Sequence, residues 1–235
     1  MNRQVLLGGG SRGWGPKSPG TLLFWLDATF GFPAGTGAVG FWFDESGSGN
    51  NFQSTSPAAA PTYGSSAWGS ARPGVTFDGT TDFLLLNNDY PNGTDRPLTI
   101  FATINATSAH AHSLLQWYDN PAISTVYSFG IDASNHLTCF NGSLTTGTVS
   151  ASGAHRITIF AGSGTVSTYV DAALDINGSP FLATLAGMNV ALIGRNAIGT
   201  SFFAGVMAEI VVYSIKLDPS AYISGYLPYS IRKFG

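Results

Sequence analysis

The chain has 235 residues, 44% of them hydrophobic and 13% aromatic, enough to bury one sizeable core. Only 10% are charged and the net charge is −3, against a charged fraction of roughly 25% in ordinary soluble domains. This balance excludes an intrinsically disordered chain, which would be poor in apolar residues and rich in charge. It also excludes the basic footprint of a nucleic-acid binder.

At the N-terminus the only apolar run is Val5 to Leu7. It is too short for the core of a secretory leader, and no later stretch approaches a membrane span. The expectation is a protein made in a cytoplasm, with no membrane insertion. Residues 1–20 form an arm whose stretch from Gly8 to Gly20 is punctuated throughout by Gly and Pro and can be neither helix nor regular strand. Such an arm orders only when its own domain or a neighbour grips it. Arg3, Arg12 and Trp14 are its candidate contacts.

From residue 21 to 235 the period-2 signal of β-strands dominates. Expected strands are Thr21 to Asp27, Val39 to Asp44, Val75 to Phe77 and Phe83 to Leu86. In Leu98 to Ile104, alternation sends Leu98, Ile100, Ala102 and Ile104 to one face and Thr99, Phe101 and Thr103 to the other. Further runs are Ser113 to Tyr118, Tyr127 to Ile131 and His136 to Phe140. His155 to Ala161 and Val166 to Val170 read as a hairpin turning at Gly162–Ser163–Gly164. Val190 to Gly194 and Val206 to Tyr213 complete the series. One short helix is expected, with Asp218 as N-cap, Pro219 at the first helical position, and Pro228 limiting it. The lone cysteine, Cys139, lies in an alternating run and reads as a buried thiol. Phe24, Trp25, Phe41, Trp42 and Phe43 read as core, and Arg232–Lys233 as a solvated pair. The fold class is therefore all-β, a two-sheet antiparallel jelly-roll sandwich with one short C-terminal helix.

Several segments resemble a known family in order. Trp25-Leu-Asp-Ala28 is similar to the opening strand of bacterial and bacteriophage laminin-G-like domains of the concanavalin A-like superfamily. Asp44-Glu-Ser-Gly-Ser-Gly-Asn-Asn51 resembles the turn after their second strand. Pro61-Thr-Tyr63, Val75 to Gly79 with Asp82-Phe83-Leu84, Tyr169-Val-Asp171, Ile193-Gly-Arg195 and Phe203 to Ile210 resemble the later strands. Ala172 stands where the family's pattern has glycine. Leu217 to Gly235 resembles the family's closing helix and cap. The resemblance implies a concanavalin A-like sandwich over residues 21–235; it is silent on function, since the superfamily holds lectins, glycosidases, adhesion modules and virion proteins.

Glycosidases of this superfamily resemble one another in a strand carrying paired acids, because hydrolysis needs two carboxylates flanking the sugar bond. This chain has two glutamates, Glu45 and Glu209, and neither sits in such a pattern. No nucleophile elbow and no phosphate loop is present. His110-Ala-His112 could share a strand face, but no third ligand completes a metal site there. The expectation is no enzyme. Asp44, Asp78 and Asp82 offer hard oxygens on turns, so calcium is the one possible cofactor; Asp in turns also caps its own backbone. Trp68, Trp117, Tyr118, Asp119 and Asn120 lie in or beside loops and are the candidate glycan contacts, by ring stacking and hydrogen bonds to hydroxyls.

Two functions follow. Sparse charge, a single thiol, the arm and the phage-type resemblance point to a virion structural protein of a bacteriophage (a capsid decoration, fibre or tail-associated subunit). Its partners would be other virion proteins and copies of itself. The alternative is a glycan-binding, lectin-like adhesion module, calcium-dependent or not, with host-surface glycans as partners.

Overall fold

A computed structural model describes residues 15–17, 22–32, 35–69, 72–87, 97–107, 111–123, 126–181 and 188–235. Its strands are, in chain order, β1 (Leu22–Asp27), β2 (Thr36–Ala38), β3 (Phe41–Trp42), β4 (Phe52–Gln53), β5 (Thr62–Gly69), β6 (Arg72–Asp78), β7 (Leu84–Asn87), β8 (Leu98–Ala106) and β9 (His112–Tyr118). Then follow β10 (Val126–Ile131), β11 (His136–Phe140), β12 (Leu144–Ser150), β13 (Gly153–Gly162), β14 (Thr165–Val170), β15 (Ala173–Pro180), β16 (Val190–Ile193) and β17 (Ala204–Tyr213). All pairings are antiparallel. One nine-stranded sheet runs β15-β14-β13-β8-β17-β6-β5-β2, with β1 also on β17; an eight-stranded sheet runs β12-β11-β10-β9-β16-β7-β4-β3. The expected two-sheet sandwich is the fold.

Alternation explains the layers. Leu98, Ile100, Ala102 and Ile104 of β8 point into the core between the sheets, where they meet Leu115, Trp117, Phe129 and the buried Cys139 from the other sheet. Phe101 points outward, into a second cluster with Phe160, Val211, Tyr213, Tyr222 and Tyr226. Met207 and Glu209 are two residues apart on β17 and would share a face in a regular strand; a register shift between them sends Met207 to the core instead.

The outer face of the nine-stranded sheet is covered by the C-terminal helical run. Helix α1 (Pro219–Ala221) starts as expected, with the Asp218 side chain accepting the Ser220 N–H at 2.8 Å. Pro228 does not end the helix. A π-helical turn over Tyr222–Tyr226 shifts the hydrogen-bond register, so Pro228 falls in the first turn of α2 (Leu227–Phe234), where no N–H is needed. Tyr226 stacks on Phe101 at 4.5 Å, and the Thr103 hydroxyl meets Tyr226 Oη and Ser230 Oγ at 2.8 and 2.7 Å. At the far end the Phe234 carbonyl accepts from Trp68 Nε1 at 2.7 Å, and Arg72 donates to the Lys233 carbonyl.

Beneath this helix lies a buried ion cluster. Asp27 and Glu209 face each other across β1 and β17, 1% and 0% exposed. Lys233 reaches both carboxylates, and Glu209 Oε1 also accepts from Trp25 Nε1 at 2.9 Å and Tyr229 Oη at 2.8 Å. Arg232–Lys233 is thus no solvated pair: Lys233 is only 17% exposed. Burial is the main influence on Glu209 and raises its pKa, against the opposing pull of Lys233.

The described part of the arm, residues 15–17, lies on this same face, where Tyr213 Oη donates to the buried Pro16 carbonyl at 2.6 Å. Arg3, Arg12 and Trp14 fall outside the described residues.

Turns are organised by aspartates. Asp78 Oδ1 accepts the N–H groups of Thr80, Thr81 and Asp82 at 2.8, 2.8 and 3.0 Å, and its Oδ2 accepts both threonine hydroxyls. Burial works against its ionisation, yet these bonds outweigh it and hold Asp78 below the usual carboxylate range. Asp82, 8% exposed, shows the opposite balance: burial, then the Asp78 charge, push its pKa up to about 6.

Replacing Lys233 with Met should cost about 3–5 kcal/mol in chemical denaturation, because two buried carboxylates lose their counter-ion. An acid whose folded pKa is raised contributes stability below its unfolded value of 3.8, lost as pH rises through about 6. Asp82→Asn should therefore gain about 1–2 kcal/mol on wild type between pH 4 and pH 7, read as the pH dependence of the denaturation midpoint.

Candidate functional site

With one outer face closed by the helix, the other sheet provides the open surface. Trp42, Phe52, Leu84, Leu86, Ala191, Ile193, Trp117, Phe129 and Cys139 point inward from the eight-stranded sheet. Their sequence neighbours must point outward. Register then lines these up: Phe41 pairs Gln53, Gln53 pairs Leu85, and Leu85 pairs Leu192. Leu192 pairs Gln116, Gln116 pairs Ser128, and Ser128 pairs Phe140. Cross-strand partners share a face, so one line of residues crosses seven strands, with aromatic rings at both ends and two amides, two leucines and a hydroxyl between.

The two ends and the middle differ. Phe41 is 50% and Phe140 36% exposed, whereas Leu192 and Gln116 are buried. The loop between β16 and β17 covers the middle: Ala197 N–H donates to Gln116 Oε1, and Ala197 and Phe202 pack against the cluster of Phe83, Tyr118, Val190 and Leu192. At the β3 rim the Phe41 and Phe43 rings stack at 6.0 Å and 16°. Phe43 lies over Gly31, where a Cβ would stand 3.3 Å from its ring, and the adjacent Phe30 is also exposed. Phe41 and Phe43 therefore form an apolar rim that leads into the Asp44–Asn51 turn, while the Phe30 ring turns the other way, edge-on to Trp25 at 6.2 Å.

The sequence reading placed Phe41 and Phe43 in the core, and the structure corrects this. Trp42 between them is fully buried, and strand alternation then forces its two neighbours outward. That alternation was the available signal.

The predicted glycan contacts do not form one site. Trp117 is fully buried, packed against Tyr127 at 5.9 Å, and has no face for a sugar. Trp68 is on the other sheet, engaged with Phe234. Tyr118, Asp119 and Asn120 do stay together at the end of β9. Tyr118 is 9% exposed within the outer-face cluster. The Asn189 side chain holds Asn120 from both sides, its Oδ1 accepting the Asn120 N–H at 2.8 Å and its Nδ2 donating to the Asn120 carbonyl at 3.1 Å.

The predicted calcium ligands sit in separate turns. Asp44 Oδ1 accepts the Trp25 and Ser46 N–H groups at 2.9 and 2.8 Å, and Oδ2 the Asn50 N–H at 3.0 Å. Asp78 and Asp82 share the other turn. Among the described residues no three His, Cys, Asp or Glu side chains converge as metal ligands. His110 lies outside the described residues, and His112 is buried, its Nδ1 accepting the Ala204 N–H at 3.1 Å and its Nε2 lying 2.8 Å from the Thr107 carbonyl.

No family model matches the chain, and no curated protein matches it. Solved structures do. Trypanosoma rangeli sialidase in complex with 2,3-difluorosialic acid matches 95% of this chain at 15% identity and a TM-score of 0.59, over 35% of its own length. This chain thus spans about a third of the sialidase. Domain 4 of AbnA, a GH43 extracellular arabinanase from Geobacillus stearothermophilus, in complex with arabinotriose, matches 85% of this chain at 13% identity and a TM-score of 0.58, over 95% of that domain. A mutant GH54 α-L-arabinofuranosidase soaked with 4-nitrophenyl α-L-arabinofuranoside matches 84% of this chain at 11% identity and a TM-score of 0.60, over 51% of its length. At these identities the likeness is one of fold. It overturns the expectation of no enzyme: sandwiches of this shape occur in a sialidase, an arabinanase and an arabinofuranosidase, so the fold and its lack of the paired-acid strand cannot exclude an enzyme. The β-sandwich half of the family resemblance agrees with these structures.

Proposed function

We propose that the chain is a carbohydrate-binding sandwich, and that the outer face of its eight-stranded sheet holds the glycan. The observation that carries this is the exposed, stacked Phe41–Phe43 pair beside the half-buried amide of Gln53, the cross-strand partner of Phe41. Sugar rings present C–H faces to aromatic rings and hydroxyls to amides, and this surface offers both. The likeness to an arabinanase domain in complex with arabinotriose supports the reading, because there the sandwich is nearly the entire matched chain. The laminin-G-like resemblance of residues 25–235 is compatible with it. The virion role has no counterpart among the similar structures named above, and its arm residues lie outside the described region.

Phe41→Ala and Phe43→Ala remove exposed rings from the surface, so the fold should hold. On a glycan array followed by calorimetry, each should weaken binding of the best neutral or acidic oligosaccharide by about tenfold, since a stacked ring is worth roughly 1–2 kcal/mol. Thermal melting should match wild type. Unchanged affinity in both variants would move the site elsewhere.

A further inference from the structure

Among the described residues, one cation stacks on a ring of the outer-face cluster. Arg195 follows β16, and the backbone on either side of it is fixed. Gly194 has φ +85°, and a Cβ there would stand 2.6 Å from the Phe77 ring. Gly194 donates its N–H to Leu114 and accepts from Phe203 N–H, while Arg195 bridges to Phe202. The side chain is thereby laid over Phe83, with its guanidinium carbon 3.7 Å from the ring centroid.

This guanidinium is half-buried and carries no ion pair with any carboxylate among the described residues. Its Nε is buried and has no acceptor among the described residues. Desolvation lowers its pKa below the ordinary arginine value, and the nearby Tyr118 acts in the opposite sense. Arginine drawn out of water is normally paired, because an unpaired charge there is costly. Lys233, the most deeply held cation among the described residues, meets two carboxylates, whereas Arg156 of the nine-stranded sheet shares with Arg195 a buried Nε that has no acceptor among the described residues but is not stacked on a ring of this face. Stacking on Phe83 compensates for only part of the lost hydration. It also fixes the plane of the fork, which is the arrangement that suits a carboxylate arriving from solvent.

We propose that Arg195 is an anion-recognition residue, and that the preferred ligand of this face is an acidic glycan whose sugar carboxylate pairs with the guanidinium beside Tyr118. The proposal rests on the glycan-binding reading and adds the chemical class of the sugar. Two observations carry it: the stacked guanidinium has no carboxylate partner among the described residues, and the Phe83 ring it lies on belongs to the same outer-face cluster as Tyr118.

The test is calorimetry on the full chain with carboxylated oligosaccharides (tetragalacturonate and sialyllactose), each against its methyl ester, and with arabinotriose and xylotetraose as neutral probes. At least one free acid should bind tenfold or more tightly than its ester, with the preference falling as salt is added. Arg195→Gln should abolish the preference, and Arg195→Lys, which keeps the charge but loses the planar fork, should reduce it. Circular dichroism and melting of both variants report folding, and Lys keeps the test informative should Gln destabilise the cluster. If neutral oligosaccharides bind while no acid outbinds its ester, the Arg195 proposal falls and the glycan reading stands. If no oligosaccharide binds at all, both fall.

Discussion

The arrangement hangs on a buried ion cluster. Asp27 and Glu209 are brought together by the pairing of the first strand with the last, and neither can stay buried and charged unless Lys233 arrives from the closing helix. One lysine facing two acids leaves the cluster short of positive charge, and Glu209 Oε2 has no hydrogen-bond partner among the described residues. The hydroxyl of Tyr229 and the indole of Trp25 supply the additional donors that make the arrangement tenable. Because the lysine is on the helix, the helix is committed to the nine-stranded sheet. That commitment gives the molecule its asymmetry: one outer face is sealed by tyrosines and phenylalanine, and the other keeps its aromatic rims in water.

How much of this was legible depended on burial. Strands that feed the core on alternate residues, such as Leu98–Ala106 and His136–Phe140, announce themselves in sequence, because the apolar positions recur every second residue. Leu144–Ser150 and Ala173–Pro180 do not. They are the outer edges of the two sheets and their residues are largely polar, so they carry no periodic signal. What holds these edges together is Asp175, whose carboxylate accepts N–H groups from Thr148 and Val149 across the gap between sheets, a contact without local signature.

The site was less legible than the fold, for two distinct reasons. Long-range pairing hid Lys233: its partners are 206 and 24 residues away, and adjacent terminal basic residues look solvated. Composition hid the rim: Phe41, Trp42 and Phe43 are three aromatics in a row, and hydrophobicity alone assigns all three to the interior. Only the geometric rule that neighbours on a strand face opposite ways separates them. Trp117 failed in the reverse direction, since proximity to a loop suggested exposure while its strand position buried it.

The line of residues across the eight-stranded sheet also has a consequence for additivity. Neighbouring strands lie about 4.8 Å apart, so each strand contributes one side chain to the line, and every second contributor is roughly 10 Å from the next. Groups that far apart act nearly independently. Their inward neighbours are locked in the core, and a slip of one residue would drive Gln116 inside and Trp117 out. The outer face is thus a set of separate positions on a fixed spacing. Changes at Phe41, Leu85 and Ser128 can be combined and their effects summed, while the core that spaces them stays untouched.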